Sequence, residues 1–226
     1  MAAIVFDLDN TLYPHVRFVH SGFSAVARAI AGRFGLEAGE VYRRLRAAYD
    51  GPERGAELQA LCAWFGLTDA LVPELVQIIR THEPQIWLSH DVRDVLTTLR
   101  YRGWRTAILT NGLPSTQAAK IRALGLTDLV DHIVYAEQHA EGGKPAPEPF
   151  LETLRRLEVA PQSAVMVGDD RVNDIEGARA VGMRTILLSR RGTPARDGGA
   201  DAVVDTLADV LGVAFGLIQN GMAHAA

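Results

Sequence analysis

The stretch Ile4-Val5-Phe6-Asp7-Leu8-Asp9-Asn10-Thr11 decides the reading of this chain. A short apolar, β-branched run reads as a buried strand, and here it passes directly into a pair of carboxylates, Asp7 and Asp9. Open α/β sheets put their chemistry just beyond the carboxyl ends of such strands. An acidic pair at a strand end is also an ordinary turn, so the segments that fold beside it decide between the two readings.

From Trp87 onward the apolar pattern alternates between helix and strand. It predicts strands over Arg105 to Leu109, Ile133 to Tyr135, Ala164 to Val167, Arg184 to Leu188 and Ala202 to Val204. Helices are expected over Val92 to Arg100, Ser115 to Leu124, Pro147 to Leu157, Val172 to Val181, and from Thr206. Strands separated by amphipathic helices imply a parallel sheet covered on both faces. After Tyr13-Pro14, by contrast, the spacing stays helical. Helices are predicted near Phe23 to Arg33, Ala38 to Tyr49, Arg54 to Phe65 and Ala70 to Arg80, punctuated by Gly35, Gly51-Pro52 and Gly66. The expected fold class is α/β, a Rossmann-like, doubly wound, mainly parallel sheet. Residues 1–13 and 89–226 form its core, and an all-helical domain, 14–88, is inserted after strand one.

Three further segments would meet Asp7 and Asp9 at one edge of that sheet. The run Ala107-Ile108-Leu109 ends in Thr110-Asn111-Gly112, and Val165-Met166-Val167 ends in Gly168-Asp169-Asp170, with Asp174 four residues on. Between them lies Gly142-Gly143-Lys144-Pro145, just ahead of a helix that Pro147 is suited to start. So many carboxylates in one place are untenable without a cation. Hard oxygen donors, with no histidine or cysteine at metal-binding spacing, favour Mg²⁺ over zinc. A threonine hydroxyl, an Asn-Gly backbone turn and an ammonium suit the oxygens of a phosphoryl group. Mg²⁺ and Lys144 would together offset the repulsion between an attacking carboxylate and a phosphate dianion.

Simpler readings stand beside these. Asp169 and Asp170 fit a helix N-cap, and for Asp170 capping, or support of the residues that hold the metal, is the better reading. Of the 23 basic residues only Lys120 and Lys144 are lysines, which singles out Lys144, since a compact ammonium and a guanidinium are not interchangeable at a crowded site. Lys120 sits on a predicted helix with no evident role. His15 and His20 follow the first acidic stretch closely enough to be candidates for facing a substrate. Cys62, Trp64, Trp87 and Trp104 read as packing residues.

Taken together the motifs resemble those of the haloacid dehalogenase superfamily of phosphatases. They occur in that family's order as Asp7-Leu8-Asp9-Asn10-Thr11, Thr110-Asn111, Lys144-Pro145, and Gly168-Asp169 with Asp174. A helical insertion directly after the first motif is similar to the cap of the family's subfamily I. The resemblance implies that Asp7 is the nucleophile that forms an aspartyl-phosphate. It makes Asp9 the acid that protonates the leaving alcohol and the base that activates water. It implies that Mg²⁺ is held by the Asp7 carboxylate, the Asp9 carbonyl and Asp169, with Asp174 supporting bound water. Thr110, the Asn111 amide and the Gly112 turn would hold phosphate oxygens, and Lys144 would neutralise Asp7 and the phosphoryl charge. Crowding by carboxylates would help keep Asp9 protonated for its first task.

Other functions divide on single residues. Asp9 supplies a second acid that a dehalogenase does not carry, and the absence of lysine between Tyr13 and Arg100 excludes a Schiff-base phosphonate hydrolase. A sugar phosphomutase shares the whole core and stays open. A phosphoacceptor signalling domain shares the acidic pocket, the threonine and the lysine, but not the insertion. The run Phe6 to Pro14 is similar to the pyrimidine 5′-nucleotidase-like branch, whereas the loop Tyr49 to Gly55 lacks that branch's Gly-Thr-Thr run. Arg54 in this loop is either a contact for an anionic group or a solvent-exposed side chain.

A formal charge of −4 with scattered arginines gives no reason to expect a nucleic acid polymer as partner. The expected partner is a small phosphorylated metabolite. The longest apolar C-terminal segment, Leu207 to Ile218, is interrupted by Asp209 and too short to span a bilayer. A single cysteine, and a first strand that leaves no room for a leader, point to the cytoplasm. Nothing in these residues sets the oligomeric state.

Overall fold

The computed structural model describes residues 1–189 and 199–223. Contacts divide the chain into two compact units, Met1–Pro14 with Trp87–Ala226, and His15–Ile86.

The first unit is built on six strands: β1 (Ala3–Phe6), β2 (Arg105–Thr110), β3 (His132–Tyr135), β4 (Ala164–Gly168), β5 (Arg184–Leu188) and β6 (Ala202–Val204). They lie in the order β3-β2-β1-β4-β5-β6, every neighbouring pair parallel. A sheet buried on both faces reads as continuous apolar sequence, and all four residues of β1 are buried. The chain winds outward from β1 through β2 to β3, then returns to β4 and winds the other way. That reversal makes the gap between β1 and β4 the topological switch point, where a crevice opens beyond the carboxyl ends of the strands. In the register, Phe6 pairs with Ile108 on one side and Val167 on the other. The Asp7 N–H extends the ladder by donating to the Val167 carbonyl at 2.9 Å, which fixes the backbone of Asp7 beside the end of β4.

Val5, Leu109, Val134, Phe150, Leu154, Met166 and Ala178 share one apolar cluster, which seats α7 (Pro147–Leu157) and the short α8 (Gly177–Ala180) on one face of the sheet. Helix α5 (His90–Tyr101) packs with α9 (Leu207–Ala223), and Trp104 meets Phe215 edge-on with ring centroids 5.1 Å apart. Helix α6 (Pro114–Ala123) follows β2.

The second unit is helical throughout. Its helices are α1 (Val16–Phe34), α2 (Ala38–Asp50), α3 (Glu57–Trp64) and α4 (Val72–Thr81), with a single 3₁₀ turn at Asp69–Leu71. Residues at three- and four-residue spacing, Phe23, Val26, Ala27 and Ile30, pack against Val41, Leu45, Leu61 and Leu75. Gly35 ends α1 in the left-handed conformation, at φ 67°. Glu37 caps α2 by accepting from the Gly39 and Glu40 amides. Cys62 is buried in this cluster, as its apolar setting suggested. Helix α1 begins well ahead of Phe23 because Phe18, Ser21 and Gly22 are also buried, and the Ser21 hydroxyl accepts from the Gln85 N–H at 2.7 Å. Two tryptophans expected to be packing residues are instead exposed, Trp87 at 61% and Trp64 at 40%. Trp64 lies beneath the Arg44 guanidinium, 5.5 Å from its ring centroid. Among the described residues, no helix is long and apolar enough to cross a membrane.

Candidate active site

Strand ends deliver the acidic residues. Asp7 follows β1, and Asp169 follows β4. Beyond Asp169, the expected helix from Val172 is a widened π-type turn over Arg171–Glu176 before α8 begins. Asp170 caps this turn, its Oδ1 accepting from the Val172 and Asn173 amides at 2.9 and 2.8 Å, so the capping reading of Asp170 holds. The turn brings Asp174 back against the strand end, where its Oδ2 accepts from the Asp170 N–H at 3.1 Å. Gly168 makes room for it, because a Cβ at that position would overlap the Asp174 carboxyl group.

Carboxylate oxygens of Asp7, Asp169 and Asp174 all lie within 4.8 Å of one another. Lys144 is buried among them, its Nζ donating to Asp7 Oδ1 at 2.8 Å, Asp174 Oδ1 at 2.6 Å and the Leu109 carbonyl at 2.9 Å. Burial pulls the Lys144 pKa down, but the two carboxylates outweigh it and hold the ammonium above the ordinary lysine value. The acids respond to the same crowding. Burial, with added repulsion from Asp174 and Asp9, pushes Asp7 up to about 7 against the pull of Lys144. Asp169 is pushed up to about 6 by burial and by Asp7, and burial raises Asp174 as well. Asp7 and Asp174 share one ammonium and Asp169 lies beside them, so the ionised cluster carries an excess equal to the charge of one divalent cation. An all-oxygen donor set of this kind fits Mg²⁺.

Thr110 ends β2, and Asn111 follows it. The Asn111 side chain accepts from the Lys144 N–H at 2.8 Å and donates to the Lys144 carbonyl at 3.0 Å, so it fastens the Lys144 loop to the end of β2. Gly143 must be glycine here, since it sits at φ 69° and a Cβ would press on Asn111 Oδ1 at 2.5 Å. Asp7, Asp9, Asn10, Thr110, Asn111, Lys144, Asp169, Asp170, Asn173 and Asp174 line a cavity of about 190 Å³. Gly112 is not part of that lining. Its N–H donates to Glu137 Oε1 at 3.1 Å.

Asp9 differs from expectation. Its immediate partners are an ammonium, an amide and a phenol rather than a crowd of carboxylates. Lys120 Nζ lies 2.9 Å from Oδ1 and 2.8 Å from Oδ2, Gln117 Nε2 donates to Oδ2 at 2.9 Å, and Tyr13 Oη donates to Oδ1 at 2.6 Å. Gln117 Nε2 also meets Thr110 Oγ1 at 2.6 Å. Burial lowers the Lys120 pKa by more than Asp9 restores, and it raises that of Tyr13, with Asp9 adding to the rise. Lys120, which had no evident role, is therefore the buried half of an ion pair with the partly exposed Asp9. Motif spacing could not find it. The available signal was its rarity, as one of only two lysines.

The histidine candidates are engaged inside the helical unit. His15 stacks on Phe18 at 5.9 Å, and His20 meets Tyr49 edge-on at 6.2 Å. Arg54 lies over the Tyr49 ring at 4.5 Å and reaches its hydroxyl at 3.2 Å.

Comparison with known proteins agrees with this geometry. A ribulose-1,5-bisphosphate 5-phosphatase from Halopiger xanaduensis is 31% identical over 214 residues, covering 82% of this chain and 84% of that protein. A glyceraldehyde 3-phosphate phosphatase from Methanopyrus kandleri is 31% identical over 199 residues, covering 83% and 84%. A solved HAD phosphatase from Thermococcus onnurineus superposes with a TM-score of 0.63 at 27% identity, over 94% of this chain and 97% of that one. The family model of haloacid dehalogenase-like hydrolases matches residues 1–182. With the switch-point acids, the lysine between them and a match over most of its length, the chain belongs to the haloacid dehalogenase-like hydrolase family.

Proposed function

We propose that the protein is a Mg²⁺-dependent phosphatase that hydrolyses small phosphomonoesters through an aspartyl-phosphate on Asp7. The observation that carries this reading is the cluster in which Asp7 and Asp174, both buried and paired with Lys144, bring carboxylate oxygens within 4.8 Å of Asp169.

Lys144 engages Oδ1 of Asp7, leaving Oδ2 as the nucleophilic atom. That oxygen attacks phosphorus, the ester P–O bond breaks, and the departing alcohol oxygen takes a proton from Asp9. The Asp9 carboxylate then removes a proton from water as the water oxygen attacks the aspartyl-phosphate. The bond from phosphorus to Asp7 breaks, inorganic phosphate leaves, and both carboxyl groups return to their starting states. Thr110 Oγ1 and the Asn111 N–H hold phosphoryl oxygens, and Lys144 balances charge on Asp7 and the transferring group. The Asp7 and Asp169 carboxylates and the Asp9 carbonyl would hold Mg²⁺, with Asp174 supporting its water. When bound, the ion supplies charge neutralisation and orientation of the phosphoryl group.

The named relatives act on sugar phosphates, and others on phosphoserine and phosphoglycolate. All are small alkyl esters, and that is the proposed substrate class. A 5′-nucleotidase is the second reading, carried by the run Phe6 to Pro14. The helical unit is read as the cap, and the single buried Cys62 fits a cytoplasmic setting. The test is phosphate release from glyceraldehyde 3-phosphate, phosphoserine, phosphoglycolate, a hexose phosphate and a nucleoside monophosphate, with and without chelator. Chelator-sensitive release from at least one is expected. Isomerised hexose phosphate without free phosphate would make the protein a mutase, and a long-lived phospho-aspartate without turnover would make it a phosphoacceptor.

A further inference from the structure

Helix α6 carries two polar side chains on its buried side. Gln117 and Lys120 are three residues apart and so share a helix face, and they are only 2% and 4% exposed. A buried ammonium carries a heavy desolvation penalty unless an anion and further hydrogen bonds satisfy it. Both side chains answer that requirement at Asp9, more than a hundred residues earlier in the chain. Lys120 straddles the two carboxylate oxygens, and Gln117 bridges one of them to the Thr110 hydroxyl. Tyr13, at the other end of the loop that carries Asp9, closes the set. A carboxyl that hands a proton to a leaving oxygen must be held in one orientation, since proton transfer needs hydrogen-bond reach at the moment the bond breaks. Asp9 follows strand β1 in a turn closed by a backbone bridge to Tyr13, which fixes the main chain but not the direction of the carboxyl group.

We infer that Lys120 is the positioning residue for Asp9, aiming its carboxyl group at the ester oxygen. Gln117 ties that aim to Thr110, which holds the phosphoryl group. The inference rests on the phosphatase reading of the site. It concerns only the departure of the alcohol, in which the proton passes from Asp9 to the ester oxygen as the P–O bond breaks. A nitrophenolate leaves without that proton, and an alkoxide does not.

The experiment measures kcat/KM for the alkyl ester that the wild type hydrolyses fastest and for para-nitrophenyl phosphate, in wild type, Lys120→Met, Asp9→Asn and the double variant. Lys120→Met is expected to lower the alkyl value by about 100-fold and the nitrophenyl value by less than about threefold, within the range of general-acid effects. In the Asp9→Asn background, Lys120→Met should add no further loss, as expected for residues acting as one unit. The double variant removes both charges of the pair, so it reports even where Lys120→Met alone fails to fold. A loss on the alkyl ester less than tenfold greater than on the nitrophenyl ester, or a further loss in the Asp9→Asn background, overturns the role of Lys120. A wild type that releases phosphate from neither ester overturns the phosphatase reading itself.

Discussion

Lys144 and Asp174 form the shortest ion pair of the cluster, Nζ to Oδ1 at 2.6 Å, and both side chains are buried. The same ammonium reaches Asp7 Oδ1 at 2.8 Å. One cation thus joins the end of β1 to the turn after β4, and removing it leaves two carboxylates without their partner. Lys144→Ala is expected to destabilise the metal-free protein by about 3 kcal/mol, the scale for breaking a buried pair from one side. Lys144→Arg should not restore it, because a planar guanidinium does not fit where a compact ammonium meets three oxygens. Chemical denaturation of the chelated proteins measures both, and a Lys144→Ala variant as stable as wild type would remove Lys144 as the organising charge.

Asp7→Asn keeps the shape of the side chain and removes the proposed nucleophile. Phosphate release should fall at least about 10³-fold, more than the loss of about 100-fold expected for Lys120→Met. Acid-quenched wild type should carry phosphate on Asp7, detected by mass spectrometry, and the variant none. Full activity in Asp7→Asn would end the nucleophile assignment.

Gly168→Ala tests the packing behind the site. Gly168 ends strand β4 outside the left-handed region, so alanine meets no backbone barrier, and its Cβ would overlap the Asp174 carboxyl group. The variant should lose about 2 kcal/mol, as overpacked sites do, and should bind Mg²⁺ more weakly by calorimetry. Combining it with Asp174→Ala should recover the stability lost to the overlap. If Gly168→Ala alone melts with the wild type, Asp174 is not held where the fold places it.

The sheet was legible because its strands are short, largely apolar runs, most of them followed at once by a polar residue, and this local pattern survives folding. The strands ran within one or two residues of expectation, and the acids at their ends came together as the strand order requires. Lys120 was not legible, because its importance comes from a partner 111 positions away and from the burial of one face of α6, whose sequence has little periodic contrast. The π-type turn was hidden for a related reason. Val172 to Val181 has ordinary helical spacing, and the wider turn comes with long-range contacts, from Lys144 and the Asp170 amide to Asp174, that the spacing does not carry. Trp87 was misread because a large apolar side chain was assigned to packing by type alone, although folded surfaces remain rich in apolar atoms.

The raised acids predict how pH acts on the metal-free fold. Asp7 and Asp169, at about 7 and about 6, lie above their ordinary value of 3.8, and Asp174 is raised too. Between the unfolded and folded values the native state therefore holds more protons than the unfolded chain, so stability falls as pH rises from about 4 to about 7. Burial lowers His20 and His82 below their ordinary 6.5, and these run the other way, adding stability as pH rises toward that value. Comparing the chelated and Mg²⁺-loaded proteins cancels the histidine contribution, which both share, and isolates the acids. Mg²⁺ requires ionised ligands. The rise in melting temperature on adding Mg²⁺ should accordingly be small at pH 5 and grow steadily toward pH 8, with Asp169→Asn reducing it throughout. Differential scanning fluorimetry across that range measures it. An Mg²⁺-induced shift of the same size at both ends would mean that these carboxylates do not bind the ion.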